Sequence, residues 1–234
     1  MNDFSIVIPF RHGAKYALSA LLSCRLAARY FDAEVIICLD GPSSQEYALL
    51  ERQIKRAGVS VNLITSHGAG ISAALNTGIQ AANAPYVIRH DIDDIMMPGR
   101  MNYCAELFDA GAEFVFGSAL RFPKPKRITV PQSIQAARRR SLHECPFVHP
   151  GSAFTKLALM RVGGYDSYFD GVEDFELWSR VLWSRCVIKT DSRLHVLYRQ
   201  HRKQFTRTRD GHHTNLRRIE IFERNRIATL NETA

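Results

Sequence analysis

The chain has 234 residues, 46% of them apolar and 23% charged, and carries a formal net charge of +8. This is the composition of a globular protein with ample core, built as one large domain or one domain with an appendage, and it contains no run of about 18 apolar residues that would cross a membrane. Five cysteines (Cys24, Cys38, Cys104, Cys145, Cys186) lack the C-x-x-C spacing of a zinc site or a disulfide framework, which suits a reducing cytoplasm.

Asp3 leads directly into Phe4–Pro9, apolar and β-branched, which predicts a first strand and lacks the basic start of a signal peptide. Lys15–Tyr30 places Leu18, Leu21, Leu22 and Leu26 on one side of a helix. Glu34–Leu39 reads as a second buried strand ending in the turn Asp40-Gly41-Pro42-Ser43. A helix over Ser44–Ala57, a strand over Val59–Thr65, a helix over Ser72–Ala82 and a strand over Pro85–His90 follow. Pro98–Ala110 is helical, with proline at the tolerated first position, and Phe114–Ser118 is a fifth strand. This alternation predicts an α/β fold: a mostly parallel central sheet flanked by helices in a single Rossmann-like domain.

After Ser118 the rhythm breaks. Residues 119–145, with Pro123, Pro125 and Pro131, read as an irregular, mobile loop over a site. Gly151–Phe154 reads as an edge strand, and Lys156–Val162 as a short helix closed by Gly163-Gly164. Val172–Leu182 is a helix, Val187–Lys189 and Leu194–Tyr198 are two short strands, and Asn215–Leu230 is a basic amphipathic helix. The charge is uneven. Ala119–Leu142 holds seven basic residues and no acidic one, and Arg199–Arg226 holds nine basic and three acidic. Such segments suit an anionic partner: phosphate, an anionic membrane face or nucleic acid.

The chemistry concentrates at predicted strand ends. In an open α/β sheet, ligands bind outside the carboxyl ends of the strands, and Pro9, Asp40 and Asp91–Asp94 all fall there. Asp91, Asp93 and Asp94 close the fourth strand. Carboxylates packed beside a buried strand repel one another and are costly to desolvate. A hard divalent cation, Mg²⁺ or Mn²⁺, resolves both problems and suits a diphosphate; the plainer reading is a solvated loop whose Asp94 caps the following helix. Asp40 could accept from a nucleobase N–H or simply form the turn. Glu173-Asp174 at a helix start favours the dipole or supplies a general base. His149 and His201 could bind phosphate or metal, or be structural. Arg89 could pair with the carboxylates or reach a diphosphate.

The order of these segments resembles the inverting family-2 glycosyltransferases of GT-A fold. Ser5-Ile-Val-Ile-Pro9 is similar to the first nucleotide-binding strand of that family, and Leu39-Asp40-Gly41-Pro42-Ser43 to its Asp-Asp-Gly-Ser turn. Gly70-Ile-Ser-Ala-Ala-Leu-Asn76, leading through Tyr86 to Asp94, resembles the helix and Arg-x-Asp-Ala-Asp-Asp run. Cys145-Pro-Phe-Val-His-Pro150, Val162-Gly-Gly-Tyr-Asp166 and Glu173-Asp-Phe-Glu-Leu-Trp178 resemble the acceptor-side half. The resemblance implies a metal-dependent enzyme moving a sugar from a nucleotide-diphosphate donor, a UDP-sugar, to a hydroxyl of a carbohydrate or lipid-linked acceptor in cell-surface polysaccharide or glycolipid synthesis. By the same resemblance Pro9 and Asp40 line the nucleotide site and Asp91 lies by the ribose or the metal's water shell. Asp93 holds Mn²⁺ or Mg²⁺, His201 approaches the metal or diphosphate, and Asp174, with Glu173 as the lesser candidate, is the base.

Residues 1–201 would form the GT-A domain, donor half to about 118 and acceptor half from 119, with 202–234 a basic helical extension. The protein would be cytoplasmic, with peripheral association at an anionic inner membrane face. The chain departs from the family pattern at Leu39, Arg11-His12-Gly13, Pro42 and Cys145, positions that bear on the nucleotide and the sugar. Two other readings stand beside this one. A nucleic-acid-binding protein would use the same basic segments, but aromatics are not interleaved with them and no nucleic acid is expected as a partner. A nucleotide-sugar hydrolase or nucleotidyltransferase would need a Gly-rich phosphate loop, of which Phe10-Arg-His-Gly-Ala14 is a poor version.

Overall fold

The protein is described here from a computed structural model covering residues 3–123, 126–201 and 211–233, with the backbone alone for 211–214, 232 and 233. Lys124, Pro125 and the first part of the basic extension, 202–210, lie outside the described residues. A nine-stranded sheet forms the centre. One half of it is β1 (Phe4–Phe10), β2 (Ala33–Leu39), β3 (Asn62–Thr65) and β4 (Tyr86–Arg89), in spatial order β3-β2-β1-β4 and all parallel. These strands are near-continuous apolar runs because both faces are covered, as in parallel sheets generally.

Alternate residues of β1 go to opposite layers. Phe4, Ile6 and Ile8 pack with Leu21 of α1 (Ala17–Ala27), Leu50 of α2 (Ser44–Ala57) and Met101 of α4 (Arg100–Asp109). Val7 packs with Leu75 of α3 (Ile71–Ala81), Leu159 of α6 (Lys156–Arg161) and Trp178 of α7 (Glu173–Leu182).

Beyond β4 the sheet is mixed, and here the sequence expectations need correction. Gly151–Phe154 was expected at an edge. It is β8 (Ser152–Thr155), lying between β4 and β6 (Phe114–Phe122) and antiparallel to both. Ser152, Ala153 and Phe154 are all buried there, and the fully buried Arg100 ties the strand down by donating to Ser152 O (2.8 Å) and Arg89 O (3.1 Å). The segment expected to be an irregular loop is ordered among the described residues. β6 runs on to Phe122, β7 (Arg127–Thr129) pairs back onto it, and α5 (Ile134–Arg140) follows, capped by Ser133 accepting from the Ala136 amide. β6 is buried on both faces through Ala119, so it shows no alternation, and β7 is only three residues long. The two short strands expected after Val187 are one, β9 (Ile188–Arg199), parallel to β6 with register shifts at Gly117/Ser118 and Ser118/Ala119. A two-residue β5 (Ile95–Met96) adds to its far edge.

The last helix, α8 (Gly211–Thr233), packs on α7. Ile221 joins Phe169, Val172 and Phe175 in a small apolar cluster. The buried Asn225 amide donates to Ser141 O (2.9 Å) and Ser179 Oγ (2.8 Å). Asn225→Ala should leave those acceptors unmet in a buried place and cost about 1–3 kcal/mol, read as a lower denaturation midpoint with an unchanged m-value.

Candidate active site

One cleft of about 920 Å³ opens at the carboxyl ends of β1, β2 and β4. Pro9, Asp40, Arg89, Asp91, Asp93, His149, Glu173, Asp174 and His201 all line it. Residues that the sequence spreads from position 9 to position 201 therefore share one wall system.

At the carboxyl end of β2, the Asp40 carboxylate accepts from the Gly70 amide (2.9 Å) and stands 3.7 Å from Arg11. Gly70 opens α3 at φ +96°, and a Cβ there would sit 1.8 Å from Asp170 Oδ2. Asp170 in turn accepts from the Ser72 amide (3.1 Å). Two carboxylates thus satisfy the free N–H groups and complement the dipole at the start of α3. Gly70→Ala should cost more than the roughly 1–3 kcal/mol of a left-handed non-glycine residue, because Asp170 must also leave its place; a thermal melt reads the loss.

The Asp91–Asp94 turn carries the highest density of charge. Ligand oxygens of Asp91, Asp93 and Asp94 lie within 4.8 Å of one another. Burial pushes the Asp94 carboxyl well above the usual range, and the neighbouring carboxylates of Asp91 and Asp93 add to it. Burial also raises Asp91, against the lowering effect of Arg89. Asp94 does not cap α4, as the plain reading of the sequence had it. Its Oδ1 accepts from the Arg199 amide (2.7 Å), while Oδ2 is buried without a hydrogen-bond partner among the described residues. Three hard oxygen donors, one of them orphaned and all in mutual repulsion, fit a divalent cation.

Arg89 is buried and ion-paired to Asp91, so it serves as an internal counter-charge. Asp93 Oδ2 accepts a hydrogen bond from His201 Nε2 at 2.7 Å, and His201 reaches the cluster through that carboxylate. Arg199, which sequence reading missed, donates from Nε to Asp93 O (2.7 Å) and stacks over Tyr16 and Phe122. It therefore clamps the turn to the end of β9. The signal was available, because Arg199 and His201 are two apart at a strand end and share a face.

Across the cleft, the start of α7 gives its two adjacent acids different surroundings. Glu173 is buried, its carboxylate taking the Gly171 amide (2.6 Å) and lying 3.7 Å from His149 Nδ1. The other His149 nitrogen bonds Tyr165 Oη (2.9 Å), and its ring packs edge-on to Trp178. His149 is thus part of a largely buried Tyr165–His149–Glu173 brace, of which His149 and Glu173 reach the cleft wall. Tyr165 was unforeseen in this role, and burial raises its phenol. Asp174 is the one residue from Gly171 to Ser179 that is not buried, and it is near enough to Asp91 to help raise that carboxyl. The mouth above is basic: Arg121, Arg127, Arg140 and Arg218 line it, beside exposed Ile128 and Val130. Arg138 is used elsewhere, donating to Leu182 O (2.9 Å).

Gly13 and Ala14 amides, the nearest thing to a phosphate loop, are taken by the Glu46 carboxylate at 3.0 and 2.8 Å. That leaves no backbone cradle of the nucleotidyltransferase kind at this turn.

A parallel half, a mixed half and an acidic turn at the end of β4 define an α/β fold of the glycosyltransferase GT-A type. The model of the family described as glycosyl transferase family 2 matches residues 5–169, and the chain belongs to that family. It is 31% identical over 165 residues to the UDP-Gal:alpha-D-GlcNAc-diphosphoundecaprenol beta-1,3-galactosyltransferase of Escherichia coli, a match covering 65% of this chain and 58% of that protein. The chain spans less than three-fifths of the length of that relative. Among solved structures, S. aureus TarS 1–349 in complex with UDP-GlcNAc superposes with a TM-score of 0.74 at 15% identity, over 98% of this chain and 67% of that one. The mannosyltransferase PcManGT from Pyrobaculum calidifontis, in complex with GDP-Man and Mn²⁺, gives 0.66 at 14% identity, over 98% and 64%. At these identities the two structures speak for the fold.

Proposed function

We propose that the chain transfers a sugar from a UDP-sugar to a hydroxyl acceptor, with inversion at the anomeric carbon. The observation that carries this reading is the single cleft with Asp40 and the Asp91–Asp94 turn on the donor wall and an open Asp174 on the other. Asp40 and Pro9 hold the nucleoside. Asp93, with Asp91, would hold Mn²⁺ or Mg²⁺; when bound, that ion neutralises charge on the departing diphosphate. His201 and Arg199 keep the Asp93 segment in place. Asp174 accepts the proton of the acceptor hydroxyl as its oxygen bonds to the anomeric carbon. The bond to the diphosphate breaks on the opposite face, and the nucleoside diphosphate leaves. The buried Tyr165–His149–Glu173 brace fixes the start of α7, and so the reach of Asp174.

The acceptor is proposed to be lipid-linked and to carry phosphate. The four arginines at the mouth, flanked by exposed aliphatic side chains, suit a diphosphate next to a hydrocarbon, and the E. coli relative is named for a diphosphoundecaprenol acceptor. No helix among the described residues is long and apolar enough to cross a membrane. Peripheral association with an anionic cytoplasmic face is the matching proposal for location, and liposome binding indifferent to anionic lipid would overturn it. The donor half to about residue 118, the acceptor half to 201 and the helical extension after it are proposed as the functional divisions.

Calorimetric titration with UDP and with GDP, each with and without Mn²⁺, tests the donor side. The expected result is metal-dependent binding of UDP. Absence of binding by either nucleotide under every condition would overturn the reading, and release of nucleoside diphosphate without acceptor-linked sugar would favour a hydrolase.

A further inference from the structure

α8 lies beyond the residues that the family model matches, yet it supplies part of the cleft wall. It is seated there from several points. Ile221 and Asn225 turn inward to α7, Arg217 donates to Asp170 O (2.7 Å) and stacks over Tyr168, and Arg224 pairs with Glu176 (2.9 Å). That docking brings Arg218 and Phe222, one turn apart on the helix, to the cleft.

The ring of Phe222 is half-buried. It lies 5.4 Å from Phe175 between ring centroids and, with Cys145, packs on the small apolar cluster of Phe169, Val172, Phe175 and Ile221. Cys145 locates the charges around that ring. Burial pushes its thiol up and Asp174 adds to this, while Arg140 and Arg218 work against it, so all three charged groups stand close to it. Arg140 is paired with Glu144 (2.8 Å), whereas Arg218 is exposed and makes no ion pair among the described residues. An aromatic ring, an open carboxylate and a guanidinium without a counter-charge therefore meet in one corner of the cleft.

Each of these groups takes a different part of a ligand. A half-exposed aromatic ring takes an apolar face, which a pyranose offers through its C–H bonds. An open carboxylate takes a hydroxyl, and a guanidinium takes phosphate oxygens. We propose that Phe222 and Arg218 form an acceptor subsite for a glycosyl phosphate or diphosphate, with the sugar on Phe222, the phosphate at Arg218 and one hydroxyl at Asp174. The inference rests on the proposed transfer to a phosphate-bearing acceptor. To that it adds that α8, outside the segment matched by the family model, selects the acceptor's sugar. A hydrocarbon attached to the phosphate would run on toward Ile128 and Val130 at the mouth.

Saturation-transfer NMR of the full chain, held with UDP and Mg²⁺, tests the subsite with the α-1-phosphates of glucose, galactose and N-acetylglucosamine as probes. Saturating the aromatic protons is expected to carry magnetisation to the C–H protons of at least one of these sugars. Phe222→Leu, which keeps an apolar side chain against Phe175, should weaken that binding by about tenfold, and Phe222→Tyr should retain it. Arg218→Ala should weaken it by about tenfold or more, and Arg218→Lys by less. All four variants should keep the circular dichroism and the metal-dependent UDP binding of the unaltered chain. Binding of no sugar phosphate overturns the subsite, as does binding indifferent to either Phe222→Leu or Arg218→Ala. Transfer to the chain of dodecyl phosphate in preference to a sugar ring also overturns it and makes Phe222 a lipid contact. A repeat without UDP separates two failures. If UDP does not bind but sugar phosphates still bind through Phe222, the transfer reading falls and the subsite stands. If UDP binds as expected and the sugar phosphates ignore Phe222 and Arg218, the subsite alone falls.

Discussion

Asp174→Asn is expected to leave the fold and the affinity for UDP unchanged while lowering kcat by roughly 10²–10⁴-fold, the range that a positioned general base contributes. The expectation rests on a contrast between neighbours. Glu173 and Asp174 are adjacent acids at the start of α7, and a sequence gives little ground to separate them. In the fold Glu173 is buried and committed to the Gly171 amide and His149, whereas Asp174 is left partly open on the cleft wall. Asn keeps the size of the side chain and its capacity to accept from the Phe175 amide (2.7 Å), so a loss in turnover would report the missing base and not a displaced helix. Glu173→Gln serves as the partner experiment. It weakens a buried hydrogen-bonded brace, and its effect should fall first on thermal stability. Normal turnover in Asp174→Asn would remove Asp174 from the chemistry, and a larger kinetic loss in Glu173→Gln would exchange the two roles.

The donor half was legible from sequence because its strands are buried on both faces. Val-Ile-Ile-Cys-Leu between two polar turns has few other homes, and the same holds for Ser5–Pro9 and Tyr86–Ile88. Past Ser118 the local signal failed for specific reasons. β8 is four residues long, and its central place in the sheet depends on partners in β4 and β6, far away in the chain. β6 is buried on both faces through Ala119 and so shows no alternation, and the three-residue β7 is held by its pairing with β6. β9 changes register opposite Gly117 and Ser118, and so read as two pieces.

The site divides in the same way. Carboxylates next to a buried strand are costly wherever they occur, so Asp91, Asp93 and Asp94 stood out without any knowledge of the fold. What holds them could not be seen locally. The Arg199 clamp spans more than a hundred residues to the acidic turn, and Asp170 reaches the α3 amides from 98 positions away. Asp40 and Asp170 both end up at the start of one helix because the chain crosses there twice, and no spacing rule contains that.

Asp93→Ala should reduce transfer by about 10³-fold, a loss of several kcal/mol of transition-state stabilisation, and should abolish the dependence of UDP binding on Mn²⁺. The same change is expected to leave the metal-free protein as stable as before, or slightly more so. Asp91, Asp93 and Asp94 lie close together, and burial together with the neighbouring carboxylates of Asp91 and Asp93 raises the Asp94 carboxyl well above its usual range; deleting one member relieves their mutual repulsion. The lost 2.7 Å hydrogen bond to His201, largely buried, works the other way and limits that gain. A structural carboxylate would show the reverse pattern, a lower melting temperature and little kinetic loss beyond it. Chelation sharpens the comparison. EDTA should bring the wild type close to the variant and should change the variant itself hardly at all, because both act on the same interaction and their effects do not add. If EDTA instead lowered the variant's activity by as large a factor as it lowers the wild type's, the divalent ion would act through residues other than Asp93, and the donor wall would have to be reassigned around Asp91 and Asp94.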